Sequence, residues 1–108
     1  NLAQPLTYFI TSHRPHLTLE QQEHIYYNAQ GQLLETSIGN LLLELNGKLY
    51  TPPAELGLLK GIYRQQLLDK GRATEKILTL ADLAQAKKIY ACNAVRGLYE
   101  LEIDKGEL

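Results

Sequence analysis

The sequence lacks several features that mark whole classes of protein. It has a single cysteine, Cys92, so no disulfide can form within the chain, and we expect a reducing, cytoplasmic setting. No apolar run approaches the roughly 20 residues that a membrane-spanning helix needs, and no signal peptide opens the chain, which argues against a membrane role. Eleven basic residues stand against twelve acidic ones, with no basic stripe, so nucleic-acid binding has little electrostatic support.

What is present indicates one globular domain. The 108 residues leave no room for a second core, and 44% apolar with 21% charged residues is ordinary for such a domain. The chain begins at Asn1 and not at a methionine, so we interpret it as a piece of something longer.

The hydrophobic pattern predicts a mixed α/β domain with about seven strands and two helices. A strand over Asn40–Leu45 is followed by an Asn-Gly pair that suits a tight type I′ turn, so Lys48–Thr51 should return antiparallel to it. A helical period covers residues 62–70, and Gly71 is placed as its left-handed cap. Residues 75–80 are expected to form a strand. Thr79, with Asp82 three residues on, should cap a second helix.

Two segments could bind a ligand. The loop LLKGIYR at residues 58–64 runs into a helix, whose first N–H groups form an anion site, and Gly61 would admit a phosphate; alternatively Gly61 only makes the turn. The segment CNA at residues 92–94 ends a strand, where ligand sites are common, although Asn93 could be a turn former. Cys92 is expected to pack as a small hydrophobic residue.

Other candidate residues carry weaker signals. His13, His16 and His24 do not share a helix face, so we predict no metal site. Arg14 and Arg96 could each bind a carboxylate or simply be solvated, and we assign Arg96 to a small-molecule substrate.

Three motifs follow one another in order: ETSIGNLL at residues 35–42, LYTPP at 49–53 and LLKGIYR at 58–64. In this order they resemble the signature of the class IV aminotransferases, a pyridoxal-phosphate-dependent family. The later CNAVRG is most similar to the 4-amino-4-deoxychorismate lyase branch, and the resemblance covers residues 20–103. It implies that residues 1–108 form one α/β domain with a mixed sheet, the barrel-like C-terminal domain of the D-amino-acid aminotransferase-like fold.

The resemblance assigns the ring end of the cofactor to the first motif. Glu35 would face the pyridine nitrogen of pyridoxal phosphate and keep it protonated, which lets the ring withdraw electrons from a substrate carbanion. Asn40 and the backbone of Thr36, Ser37 and Ile38 would hold the loop that carries Glu35.

The phosphate end is assigned to the third motif and to CNAVRG. The N–H groups of Ile62 and Tyr63, directly after Gly61, would receive the phosphate. Asn93 and Ala94 would close around it from the other side.

Two departures from the family pattern matter, and one of them bears on catalysis. The lysine that the family bonds to its cofactor would fall at Ile10, and no lysine precedes Lys48, so we predict no catalytic residue and an inactive isolated chain. Lys60, in the phosphate loop, faces the wrong end of the cofactor to substitute. Leu42 replaces the family's usual aromatic residue. The family's smaller N-terminal domain is also absent from these 108 residues.

The resemblance implies an aminodeoxychorismate lyase-like protein, present as a fragment or a divergent form. In that branch the reaction removes pyruvate from 4-amino-4-deoxychorismate to give 4-aminobenzoate for folate synthesis. The expected partners are an aminodeoxychorismate synthase domain or protein and a second copy in a homodimer. The alternatives are a non-catalytic interaction domain of the same fold and a class IV amino acid aminotransferase.

Overall fold

The chain alternates strands with two helices in an order close to the predicted one. The computed structural model describes residues 4–10, 21–37, 39–58 and 61–101, with side chains from His24 onward in these ranges. The elements are β1 (Gln4–Ile10), β2 (Gln21–Tyr27), β3 (Leu33–Thr36), β4 (Asn40–Leu45), β5 (Lys48–Thr51), a 3-10 turn (Ala54–Leu56), α1 (Ile62–Asp69), β6 (Ala73–Glu75), α2 (Leu80–Gln85), β7 (Lys88–Asn93) and β8 (Gly97–Leu101).

The strands form two sheets. The first is antiparallel, in the order β1-β2-β3. The second has the order β6-β5-β4-β7-β8, and its only parallel pair among the described strands is β5 with β6. The mixed α/β class predicted from the sequence is confirmed, whereas the barrel-like arrangement stays a prediction.

Strand β4 lies at the centre of the second sheet and is buried on both faces. Successive strand residues point to opposite sides. Leu41 and Leu43 therefore pack with α2 and the first sheet, while Leu42 packs with Leu67 of α1 and with Cys92. Each fully buried leucine stabilises the fold by roughly 1.5–3 kcal/mol. The second sheet is thus covered by α1 on one face and by α2 and the smaller sheet on the other.

The hairpin of β4 and β5 matches its prediction at both strands. Asn46 and Gly47 have φ angles of 54° and 79°, the left-handed values that a type I′ turn requires. The pairing runs from Leu45 with Lys48 to Leu43 with Tyr50. Local turn chemistry therefore sets the register of the central strand.

Both predicted helices form. α1 ends at Asp69, Lys70 caps it, and Gly71 has the expected left-handed φ of 70°. At α2, Thr79 Oγ1 accepts a 3.2 Å hydrogen bond from the Asp82 N–H, and the Thr79 N–H donates to the Asp82 carboxylate at 2.9 Å. This reciprocal pair is the predicted capping box.

The strand predicted over residues 75–80 is wrong. β6 covers Ala73–Glu75 and pairs in parallel with β5, whose last residue Thr51 lies opposite Glu75. Beyond Thr51 the partner continues as two prolines, which have no N–H to donate, so the ladder stops. Leu78 is buried in the connection that follows, and its carbonyl accepts from the Leu33 N–H at 2.7 Å.

Candidate functional site

A cleft of about 700 Å³ lies where the β3–β4 turn, the start of α1 and the end of β7 converge. Seven of the predicted site residues line it: Glu35, Ser37, Asn40, Gly61, Ile62, Asn93 and Ala94. Four further residues complete the lining: Tyr26, Thr36, Gly39 and Cys92. Segments far apart in the sequence therefore meet at one site.

A β-bulge sets the position of Glu35. Ile25 of β2 pairs with Thr36 of β3, but Tyr27 pairs with Leu33, so two residues of β3, Leu34 and Glu35, lie opposite the single residue Tyr26. Such a bulge breaks strand alternation and re-aims a side chain. Glu35 and Tyr26 both line the cleft and also a neighbouring cavity of about 710 Å³.

The turn that follows Glu35 is fastened by hydrogen bonds. The Thr36 N–H and hydroxyl both donate to the Gly39 carbonyl, at 2.9 and 2.8 Å. The Ser37 N–H donates to the His24 carbonyl at 2.9 Å, and the Ser37 hydroxyl accepts from the His24 N–H at 3.1 Å. Ser37 thus ties the turn to β2, while Ile38 lies outside the described residues.

Gly39 is required by a close approach of two backbones. A β-carbon added there would collide with the Cys92 carbonyl oxygen, well inside the 3.0 Å below which such contacts essentially do not occur. Asn40, the next residue, pairs with Cys92 across β4 and β7. The turn that carries Glu35 is therefore held directly against the end of β7.

The start of α1 opens into the cleft. Gly61 is the N-cap, and no side chain caps the helix there. The first N–H groups of any helix have no intrahelical acceptor, and the helix dipole adds partial positive charge at this end. Ile62, the first helical residue, is 69% exposed. The arrangement suits an anion such as a phosphate.

Tyr63 does not line the cleft with its side chain. Its ring packs against the core cluster on the α1 side, about 3.5 Å from where a β-carbon on Gly97 would lie. The role expected of Tyr63 runs through its backbone N–H, so this packing leaves it a prediction.

The β7–β8 turn is built by Asn93. Its side-chain carbonyl accepts from the N–H groups of Val95 and Arg96, at 3.0 and 2.7 Å. Asn93 is therefore a turn former and also a cleft residue. The Arg96 guanidinium lies 5.3 Å from the centre of the Tyr99 ring and is not among the cleft-lining groups, so its assignment to a substrate stays a prediction.

Cys92 packs as a small hydrophobic residue in the floor of the cleft, as expected. It is fully buried, and this burial raises the pKa of its thiol from 9.0 to about 11 despite the opposing charge of Arg64. A thiol with so high a pKa is protonated at neutral pH and unreactive.

Arg64 was not singled out as a charged group of the site, yet it is almost fully buried. Its Nη2 donates to the Pro52 carbonyl at 3.0 Å and forms an ion pair with Glu75. Nothing local in the sequence marks this partnership, because Glu75 belongs to β6, eleven residues away.

No lysine lines the cleft among the residues the model describes. Ile10, at the position of the expected lysine, pairs with Gln21 at one end of β2, five residues from Tyr26. At about 3.4 Å per residue this is roughly 17 Å along the strand. Lys60 lies outside the described residues.

The part of the chain with described side chains holds no group of three His, Cys, Asp or Glu residues able to bind a metal. The His24 ring contacts the Tyr26 ring with centroids 6.1 Å apart, and His13, His16 and Arg14 fall outside the described ranges. Neither described helix is long and apolar enough to cross a membrane.

Of the lining residues that the sequence does not indicate, Tyr26 has no local signal, because it is the pairing of β2 with β3 that places it opposite Leu34 and Glu35. Gly39 has one, because an isolated glycine within the first motif indicates a close backbone approach.

Comparisons with known proteins agree on one family. The model for "Amino-transferase class IV" matches residues 10–101. A Mesorhizobium loti structure, provisionally named an amino-acid aminotransferase, is 37% identical, with a TM-score of 0.71 over 76% of this chain and 40% of that one. The 4-amino-4-deoxychorismate lyase structure of Pseudomonas aeruginosa is 26% identical, with a TM-score of 0.67 over 74% of this chain and 32% of that one.

A curated relative from Schizosaccharomyces pombe, provisionally named an aminodeoxychorismate lyase, is 32% identical over 69% of this chain and 34% of its own length. The chain spans about a third of the length of the curated relatives it matches.

Proposed function

We propose that the cleft of this chain, which belongs to the class IV aminotransferase family, is a binding site for pyridoxal phosphate. The observation that carries the proposal is the convergence of a carboxylate, Glu35, and an uncapped helix N-terminus in one cleft. These groups fit the two ends of this cofactor, a basic ring nitrogen and a phosphate. When bound, the cofactor supplies a ring that withdraws electrons from a substrate carbanion.

Each residue then has a defined task. Glu35 holds the proton on the ring nitrogen. The N–H groups of Ile62 and Tyr63 bind the phosphate. Asn93 and Ala94 flank the phosphate on the β7 side. Arg96 is assigned to a substrate carboxylate.

The motif residues that follow Glu35, namely Ser37, Ile38 and Asn40, are assigned the task of keeping the carboxylate in place. Support for this task comes from the hydrogen bonds between Ser37 and His24 and between Thr36 and Gly39.

The reaction proposed for the whole protein is that of an aminodeoxychorismate lyase, the release of pyruvate from 4-amino-4-deoxychorismate in folate synthesis. The lyase names of the S. pombe and P. aeruginosa relatives support it. A homodimer, an aminodeoxychorismate synthase partner or domain, and a cytoplasmic setting belong to the same proposal.

Two other candidates each rest on one observation. The M. loti relative, named for an aminotransferase, supports amino transfer in place of elimination. The lack of a lysine among the described cleft residues supports a non-catalytic interaction domain of the same fold.

A titration with pyridoxal phosphate, followed by absorbance and fluorescence, tests the proposal. Glu35→Gln keeps the shape of the side chain but removes the charge that retains the ring proton, so we expect the dissociation constant to rise about tenfold to a hundredfold. Glu55→Gln, at an exposed position of the 3-10 turn, is the matched control and should bind like the wild type.

Equal affinities for Glu35→Gln and the wild type, or no binding by any variant, would contradict the proposed binding site. Borohydride reduction followed by intact-mass measurement then separates the candidates. A pyridoxyl adduct on a lysine supports an enzyme, tight binding without an adduct supports a retained cofactor site, and a lack of affinity supports the non-catalytic interaction domain.

A further inference from the structure

The side chain of Asn40 fills the space beside Gly61. Asn40 is 5% exposed and begins β4. A β-carbon added at Gly61 would collide with Asn40 Oδ1, well inside the 3.0 Å limit for real contacts, and would lie 3.6 Å from Asn40 Cγ. The amide of Asn40 therefore packs directly on the backbone at the start of α1.

Backbone conformation does not explain the glycine at position 61. Its φ and ψ of −62° and 145° lie in the extended region that every residue adopts. The requirement is steric, and the obstacle is the Asn40 amide. The contact with Asn40 therefore requires a glycine at position 61 even without a bound ligand.

Asn40 is also fixed to the turn that carries Glu35. The preceding carbonyl, that of Gly39, accepts both hydrogen bonds from Thr36, and Asn40 itself pairs with Cys92 on β7. A single buried residue therefore stands between the Glu35 turn and the helix start.

We propose that Asn40 is a positioning residue whose amide sets the separation between the Glu35 carboxylate and the first N–H groups of α1. It acts through Gly61 and not as a ligand of the phosphate. This inference rests on the proposed function for its binding consequence, because the separation matters when one molecule must reach both groups.

A double-mutant cycle tests the contact without any ligand. Gly61→Ala should raise the unfolding equilibrium constant roughly tenfold to a hundredfold, because the new methyl group overpacks against Asn40. In an Asn40→Ala background the same change should raise the unfolding equilibrium constant less than about threefold, because the amide that the methyl group meets is gone. Gln66→Ala, at an exposed position of α1, is the control and should change stability little in either background.

A binding measurement distinguishes a positioning role of Asn40 from a general loss of stability. For each variant we would compare the affinity for pyridoxal phosphate with that for pyridoxal, which lacks the phosphate. Asn40→Ala should reduce the preference for the phosphorylated form by about tenfold, roughly the effect of one misplaced charge-assisted hydrogen bond. Gln66→Ala should keep the full preference.

Equal costs of Gly61→Ala in the two backgrounds would overturn the proposal, and so would an unchanged phosphate preference in Asn40→Ala. If Gly61→Ala does not fold, a folded double variant supports the contact and an unfolded one refutes it, provided Asn40→Ala folds. If the wild type binds neither compound, the proposed function fails, and the unfolding cycle alone then decides on Asn40.

Discussion

The half-buried ion pair of Arg64 and Glu75 offers a quantitative test of how α1 is anchored. The Arg64 side chain is 2% exposed and that of Glu75 is 44% exposed. One carboxylate oxygen of Glu75 pairs with Arg64 and also accepts from the Ala54 N–H at 3.2 Å. The other partner of the Arg64 Nη2 is the Pro52 carbonyl. Glu75→Ala therefore leaves a buried cation with one acceptor fewer.

The expected cost follows from these contacts. Losing a charge-assisted hydrogen bond to a buried group costs about 1.5–3 kcal/mol, and the partial exposure of Glu75 lowers this to roughly 1–2 kcal/mol because water screens the pair. Glu75→Gln keeps an acceptor oxygen at the same place without the charge and should cost about half as much.

Urea unfolding of the two variants beside the wild type measures these values. Glu55→Gln, another glutamate change near the 3-10 turn, should stay within about 0.5 kcal/mol of the wild type. A Glu75→Ala variant as stable as the wild type would show that Arg64 does not depend on this carboxylate, and the account of how α1 is held would be wrong.

Two further predictions concern Cys92 and Thr79. Because burial raises the pKa of the Cys92 thiol to about 11, the unfolded chain loses this proton first. The protonated thiol contributes its full share to the free energy of unfolding below pH 9, and this share is lost as the pH rises to 11. The free energy of unfolding of the wild type should therefore fall over this range by roughly 2–3 kcal/mol more than that of Cys92→Ala. Parallel curves of stability against pH for the two proteins would contradict this. Thr79→Ala removes the capping box of α2 and should lower the free energy of unfolding by about 1 kcal/mol, whereas Thr74→Ala, at an exposed position of β6, should not; equal denaturation midpoints for the two variants would argue against the cap.

Elements specified by neighbouring residues could be predicted from the sequence. The hairpin at Asn46 and Gly47 follows from turn chemistry, and α2 follows from the capping pair of Thr79 and Asp82. The strand at Ala73–Glu75 could not be placed, because its length depends on where its partner β5 stops. A prediction based only on local propensity extends such a strand into the apolar residues that follow it.

The same distinction applies to the site. Glu35 and Gly61 lie in motifs that carry their own signal, and both line the cleft. Tyr26 lies beside Glu35 through the pairing of β2 with β3, and Cys92 lies beside Asn40 through the register of β7 against β4. These are long-range strand pairings, which cannot be predicted from single residues. The steric reason for Gly61 likewise appears only once Asn40 is seen beside it.

An NMR titration of the amide-labelled chain with pyridoxal phosphate tests the central claim most directly. If the cleft is the cofactor-binding site, the largest amide shifts will fall at Ile62 and Tyr63 and at Asn93 and Ala94, and inorganic phosphate will shift the same two pairs. Absence of shifts, or shifts confined to residues 28–30 beside the neighbouring cavity, would contradict it.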